Sequence, residues 1–200
     1  AFFDKDSNTF SYVVKDPDSS NCAIIDSVLD FDYASGSTSY KGADEIVDYV
    51  CAHKLNVEWL IETHVHADHL SAAPYLQEKL GGQIGIGKHI TTVQDTFATV
   101  FHEGADFKHD GSQFDHLFSD DEVYQVGSMQ CVAMHTPGHT PACFTHILGD
   151  AVFVGDTLFM PDAGTARADF PGGDAGTLFD SIQKILALPE DYRIFMCHDY

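Results

Sequence analysis

Three histidines and an aspartate lie within one short segment of this chain, where they form the pattern H-x-H-x-D-H. Imidazole nitrogens and carboxylate oxygens are donors that zinc and iron prefer in proteins. Side chains two positions apart on an extended chain lie on the same side, so His64 and His66 are predicted to face one ion. Asp68 and His69 follow, where a helix over residues 68–80 is expected to begin, and are predicted to face a second position beside it.

Three further donors follow at the ends of apolar segments. His139 lies in the turn T-P-G-H-T after residues 130–134, Asp156 comes after a buried-looking segment, and His198 ends a third one. We predict that these segments are strands ending at one sheet edge, which would bring distant donors together in a rigid cleft. Gly138 is predicted to let the backbone pass close to the ion.

The order of these motifs, H-x-H-x-D-H, T-P-G-H-T, G-D and C-H-D, resembles the metallo-β-lactamase superfamily over residues 9–200. The resemblance implies an α+β fold, a four-layer αββα sandwich with the metal at one edge of the sheets. It does not fix the reaction, because one scaffold can carry several chemistries.

Within the superfamily, the chain is most similar to the persulfide dioxygenase branch and its bacterial β-lactamase-like hydrolase relatives. The segments that carry this similarity are residues 62–73, 153–159, 164–170 and 197–200. The resemblance implies one Fe(II) per chain, bound by His64, His139 and Asp156. The other motif residues would line the pocket or form a second metal site; they are His66, Asp68, His69 and His198.

The implied reaction is the oxidation of glutathione persulfide, or a similar low-molecular-weight persulfide, by O2 to sulfite and thiol. Two histidines and one carboxylate leave positions on iron open for oxygen and substrate. All donors of a two-metal site are also present, so a dinuclear zinc hydrolase of the glyoxalase II or lactonase type, with two Zn(II) per chain, is the alternative. A non-catalytic metal-binding domain is disfavoured, because structural zinc sites are usually closed.

The candidate catalytic groups of the pocket are Arg167, Tyr200 and His198. Arg167 could instead form a structural ion pair with Asp169, since a guanidinium and a carboxylate often fix a loop in this way. Tyr200 could also be a residue without a catalytic role.

The chain is strongly acidic, with a formal net charge of −21 and only ten lysines and arginines. Such a charge argues against nucleic-acid binding and against an anionic membrane surface, because phosphates must be neutralised by basic groups. No apolar run has the length of a transmembrane helix. The partners that the resemblance implies are a small-molecule persulfide and O2; a homodimer stays open.

Residues 1–200 contain no linker or internal repeat, and we interpret them as a single domain. The family usually continues beyond C-H-D-Y with a further helical segment, which we expect to be lacking here. The five cysteines have no C-x-x-C spacing, which favours a reducing, cytoplasmic environment with the thiols buried as small apolar groups.

Apolar periodicity predicts the remaining elements. Strands are expected at residues 9–15, 22–28 and 83–86, with a hairpin at 143–148 and 151–154. Helices are expected at residues 43–55, 68–80 and 91–101, and a last helix buries Leu178, Ile182, Ile185 and Leu186. Residues 101–118 are predicted to form a loop over or beside the cleft.

Overall fold

The computed structural model describes residues 1–104 and 107–200. Asp106, which belongs to the predicted loop, lies outside the described residues. In the described ranges, the longest helices have 12 residues, and none is long and apolar enough to cross a membrane.

The chain alternates short strands with a few helices. The strands are β1 (Phe2–Asp4), β2 (Thr9–Lys15), β3 (Asn21–Ile25), β4 (Val28–Asp32), β5 (Ser37–Ser39), β6 (Asn56–Glu62), β7 (Leu70–Ser71), β8 (Gln83–Gly87), β9 (His116–Phe118), β10 (Glu122–Val126), β11 (Met129–His135), β12 (Phe144–Leu148), β13 (Ala151–Phe153) and β14 (Arg193–Phe195). The helices are α1 (Lys41–Ala52), α2 (Ala73–Leu80), α3 (Ile90–Phe101) and α4 (Ala175–Leu186).

Two sheets form the centre of the molecule. The first has the strand order β1-β2-β3-β6-β8-β9, and its strands β3, β6, β8 and β9 are parallel. The second has the order β10-β11-β12-β13-β14 and is antiparallel except for the parallel pair β13 and β14. A small third sheet joins β5, β4 and β7.

The packing of β3 shows how four layers arise from one alternating pattern. Ala23 and Ile25 pack in the core between the two sheets, whereas Cys22 and Ile24 pack with α1 and α2 on the other face. A strand covered on both faces carries an uninterrupted apolar run, as this one does from Cys22 to Ile25. On the far side, Ile185 of α4 packs against the second sheet. The α+β fold and the αββα sandwich are therefore confirmed.

Several predicted boundaries differ from the structure. The helix predicted at residues 68–80 begins only at Ala73, because Pro74 occupies its first turn, where the missing N–H costs nothing. Leu70 lies instead in β7 and is exposed. The strand predicted at residues 22–28 is interrupted at Asp26, whose φ of 51° is incompatible with an extended chain.

The remaining corrections concern exposure and the predicted loop. Leu186 of α4 is 58% exposed, so it is not part of the helix's buried face, and Cys51 is the one exposed cysteine among the five. The predicted loop at 101–118 ends in the strand β9.

Asp16 ties the two sheets together at the edge opposite the end of β6. It follows β2, which is antiparallel to β3, so it lies where β3 and β6 begin. Its carboxylate accepts hydrogen bonds from the backbone N–H of Ser128, 2.9 Å away, and from the hydroxyl of Ser19, 2.6 Å away. Ser128 precedes β11 of the second sheet, so this buried carboxylate bridges both sheets.

We expect Asp16→Asn to lower the melting temperature, because the amide cannot accept all of these hydrogen bonds. The N–H of Ser128 and the hydroxyl of Ser19 lower the pKa of Asp16 to about 2. A lowered pKa means that the stabilisation is present above the ordinary value of 3.8 and is lost as the pH falls towards 2.

Thermal melts of wild type and Asp16→Asn should therefore differ most near neutral pH and converge in acid. Asp18→Asn, at an exposed neighbouring aspartate, is the control and should melt like wild type. A difference in melting temperature that does not shrink in acid would contradict a role for the ionised carboxylate.

Candidate metal centre

The predicted donors all come from loops that follow strands. His64 follows β6, His139 follows β11, Asp156 follows β13 and His198 follows β14. Because β13 and β14 are parallel, the loops after them leave the sheet at the same edge. Donors from both halves of the chain therefore meet at one site, as predicted for side chains that follow strands ending at one sheet edge.

Two histidines and one aspartate form the first donor group. Nε2 of His64 and Nε2 of His139 each lie 3.6 Å from Oδ2 of Asp156. All three side chains are buried, and their donor atoms lie within 4.8 Å of one another. This donor set fits zinc or iron and leaves coordination positions open.

Each histidine of this group is oriented by a hydrogen bond at its Nδ1 atom. Nδ1–H of His139 donates to the backbone carbonyl of Arg167 at 2.7 Å. The hydroxyl of Thr63 donates to Asp26 at 2.9 Å, so its oxygen accepts from Nδ1–H of His64 at 3.0 Å. Both rings therefore carry their proton on Nδ1, which leaves the Nε2 lone pairs free to bind a cation.

The charge states of the first group also suit a metal. Burial lowers the pKa of His64 to about 4, so the ring is neutral at physiological pH. Burial raises the pKa of Asp156, but the charges of His64, His198 and His139 outweigh this effect and hold it below its ordinary value. A neutral imidazole and an ionised carboxylate are the forms in which these groups bind metals.

His66 belongs to a different buried group. Its Nε2 lies 3.1 Å from Glu62 Oε2 and 3.3 Å from Asp26 Oδ1. Burial lowers the pKa of His66, but its hydrogen bonds to Asp26, Cys197 and Glu62 outweigh this and raise it well above the usual value. The structure does not bring His66 into the group of His64, because β6 ends at Glu62 and strand alternation does not continue beyond it.

A second group of donors lies around Asp68. Oδ2 of Asp68 lies 3.4 Å from Nδ1 of His69 and 3.3 Å from Nε2 of His198. His66, Asp68 and His69 also offer donor atoms that lie within 4.8 Å of one another. Nε2 of His198 lies 3.3 Å from Oδ1 of Asp156, so Asp156 faces both groups. Within the described ranges, Nε2 of His69 and Nε2 of His198 are buried without a hydrogen-bond partner. Such atoms are uncommon, and binding of a cation is one way to satisfy such an atom.

Arg167 forms the ion pair that the sequence left open as an alternative. Its Nε and Nη2 donate to the two carboxylate oxygens of Asp169 at 2.5 and 2.9 Å. Both side chains are largely exposed, while the backbone carbonyl of Arg167 accepts the hydrogen bond from His139. The side chain also lines a cleft of about 430 Å³ beside the first donor group.

Tyr200 lies at the mouth of the same cleft. Its ring stacks on His198, with centroids 5.2 Å apart and planes at 18°. Burial raises the pKa of Tyr200 to about 12, so its hydroxyl stays protonated and can donate a hydrogen bond into the cleft.

Two glycines allow the close approach of the loops. Gly155 has φ of 54°, and a Cβ there would lie 2.5 Å from Oγ1 of Thr63. Gly138 has φ of 139°, and a Cβ there would lie 2.4 Å from the backbone nitrogen of Leu178 in α4. Gly138 is therefore needed for packing against α4, which corrects the expectation that it makes room for the ion.

Sequence reasoning missed Asp26 and Thr63, which hold His64 in place. Asp26 follows β3, the parallel neighbour of β6, so its carboxylate emerges at the same sheet edge as the histidine motif. The position of Asp26 directly after β3 is the sequence signal that could have predicted its place at this edge.

The chain belongs to the metallo-β-lactamase superfamily, whose profile matches residues 4–198. It is 54% identical over 209 residues to a probable metallo-hydrolase of Burkholderia pseudomallei. The aligned region covers 100% of this chain and 71% of that protein. It is 52% identical to a β-lactamase hydrolase-like protein of Agrobacterium fabrum, covering 100% of this chain but only 46% of that protein. The chain thus spans about half the length of this relative.

Similarity extends to the persulfide dioxygenase branch. The human mitochondrial persulfide dioxygenase ETHE1 is 30% identical over 201 residues, which are 99% of this chain and 66% of that protein. The crystal structure of ETHE1 from Myxococcus xanthus superimposes with a TM-score of 0.76 at 27% identity, covering 99% of this chain and 74% of that chain. The predicted family, including its dioxygenase and hydrolase-like relatives, is confirmed.

Removal of Asp156 should have a larger effect on metal content than removal of Asp68. Asp156→Ala takes away the only carboxylate of the first donor group and should abolish metal binding there. Asp68→Ala should leave much of the metal in place, since Asp68 lies in the second group. Elemental analysis of both purified variants tests this; equal metal loss from both would show that Asp68 also binds the ion.

The hydrogen-bond chain from Asp26 through Thr63 to His64 should also affect metal affinity. Thr63→Val removes the hydroxyl while keeping the shape of the side chain, and we expect a loss of roughly 10- to 100-fold. Thr63→Ser keeps the hydroxyl and should restore most of the affinity. Competition for zinc against a chromophoric chelator measures both variants, and wild-type affinity in Thr63→Val would rule out this role.

Proposed function

We propose that this protein is an iron-dependent persulfide dioxygenase that oxidises glutathione persulfide, or a similar low-molecular-weight persulfide, to sulfite and thiol. The observation that carries the proposal is the first donor group, in which two histidines and one aspartate converge, whereas Nε2 of His66 lies near Asp26 and Glu62. The similarity to persulfide dioxygenases supports it.

The donor set of His64, His139 and Asp156 would hold one Fe(II). Bound ferrous iron supplies the electron transfer to dioxygen that amino-acid side chains cannot provide. In the overall reaction, persulfide, dioxygen and water give thiol and sulfurous acid: the S–S bond breaks, the terminal sulfur is oxidised and dioxygen is reduced.

The chain's own residues then have three tasks. The Thr63 hydroxyl and the Arg167 carbonyl keep the ligand histidines oriented. The protonated hydroxyl of Tyr200, at the cleft mouth, can donate a hydrogen bond to an anionic sulfur or to the sulfite product. His198, stacked on Tyr200, fixes the position of that ring. Arg167 is the one lysine or arginine among the described residues that line the cleft, and its guanidinium is paired with Asp169.

A dinuclear zinc hydrolase is the second candidate, because a specific observation favours it. Nε2 of His198, buried without a hydrogen-bond partner, lies 3.3 Å from Asp68, and Nδ1 of His69 lies 3.4 Å from the same carboxylate, which would suit a second ion. In such an enzyme the substrate would be cleaved by metal-activated water. Similarity to a probable metallo-hydrolase at 54% identity supports this alternative.

Metal content and oxygen uptake separate the two candidates. Protein purified without added metal should contain about one iron per chain. Given glutathione persulfide, it should consume oxygen and release sulfite, whereas S-lactoylglutathione and simple lactones should be turned over poorly. Two zinc ions per chain, with no oxygen uptake after iron loading, would assign the protein to the hydrolases.

A further inference from the structure

An apolar groove of about 360 Å³ lies between α3 and the loop that carries the histidine motif. This volume falls within the range of small-molecule sites, which are typically apolar with few polar groups. The apolar side chains that form its walls include Val65, Val93, Phe97, Phe101 and Phe170. Phe97 and Phe101 stack along α3, with ring centroids 5.7 Å apart.

The groove is continuous with the cleft beside the first donor group. Ala67, His139 and Phe170 line both spaces. The ring of Phe170 meets the ring of His139 at 85°, with centroids 5.1 Å apart, so an aromatic wall stands directly against a candidate ligand. A molecule whose sulfur lies near His139 can therefore extend its other end along α3.

Two polar side chains of the groove, Gln94 and Thr140, already have partners. Gln94 accepts from the backbone N–H of Gly111 at 3.1 Å and donates to Gln113 at 2.9 Å. The hydroxyl of Thr140 accepts from the backbone N–H of Ala142 at 3.2 Å. A guest with many polar groups would lose its own hydrogen bonds to water here and gain few in return.

The charge around the groove also disfavours an anionic guest. Arg167 is the one lysine or arginine among the described residues that line the groove or the cleft, and its side chain is paired with Asp169. Asp68 and Asp156 line the cleft, and Glu103 lies at the groove. The two carboxylates of a glutathione moiety would meet little compensating charge.

We propose that this groove binds the apolar chain of the substrate, so that the preferred substrates are alkyl or aryl persulfides. This proposal rests on the proposed function for the identity of the reacting group, but the binding of the apolar chain can be tested without turnover. Two properties support this occupant: the direct opening of the groove onto His139 and the absence of lysine and arginine among the described residues that line it, where His66 is already engaged by Asp26 and Glu62.

Binding of unreactive thioethers to the iron-loaded protein tests the groove directly. A series of 2-(alkylthio)ethanols, from ethyl to hexyl, would be titrated by isothermal calorimetry. Each methylene that enters the groove should raise the affinity by up to about fourfold. Affinity that does not depend on chain length, or no binding at all, would overturn the proposal, including the case in which another part of the protein fills the groove.

Two matched variants test whether the dependence of affinity on chain length arises from contacts with α3. Phe101 is 66% exposed, so Phe101→Asp should fold while placing a charge in the groove, and the hexyl compound should bind on the order of tenfold more weakly. Phe179→Asp, at a similarly exposed phenylalanine on α4, should keep the wild-type dependence on chain length. Equal behaviour of the two variants would contradict the assignment.

Turnover separates this inference from the proposed function. Hexyl persulfide should show a lower KM for oxygen-dependent sulfite release than glutathione persulfide. If glutathione persulfide is oxidised but affinity is independent of chain length, the groove proposal fails and the dioxygenase stands. If no persulfide is oxidised but the thioethers bind in order of length, the dioxygenase fails and the groove assignment stands.

Discussion

The burial of several carboxylates among imidazole rings is the constraint on which this structure depends. Asp26 and Asp156 are both buried, and an uncompensated buried charge is very costly. Asp26 accepts a hydrogen bond from the hydroxyl of Thr63 and lies 3.3 Å from Nε2 of His66, while Asp156 lies within 3.6 Å of ring nitrogens of His64, His139 and His198. Because Asp156 faces two donor groups through its two oxygens, a cation in one group would weaken the attraction of this carboxylate for a cation in the other.

This constraint explains why the supporting loops matter as much as the donors. A hydrogen bond at its second nitrogen orients a histidine ring for metal binding, and here a threonine hydroxyl and a backbone carbonyl accept these bonds. The carbonyl belongs to Arg167, whose pairing with Asp169 stiffens the loop. Arg167 can thus influence the site through its backbone as well as through its charge.

Much of the fold and of the donor set could be predicted from the sequence. The family resemblance implied the αββα sandwich and the donor set of His64, His139 and Asp156, and the position of the donors after strands predicted that they meet at one sheet edge. Strand alternation could not predict the separation of His66 from His64, since the backbone turns after Glu62 and carboxylates from distant segments compete for the ring. Motif spacing also could not predict that the backbone at Gly138 packs closely against α4, because Leu178 is remote in sequence.

The bridge made by Asp16 has a broader consequence. The two sheets are fastened at one edge by a carboxylate and hydroxyl groups that take no part in the donor groups at the other edge. Loops at the donor edge can then accumulate substitutions, insertions or a different metal preference without loosening the sandwich. Such a division between a fixed edge and a variable edge gives natural selection room to change the reaction while keeping the fold, as expected for a scaffold that carries many chemistries.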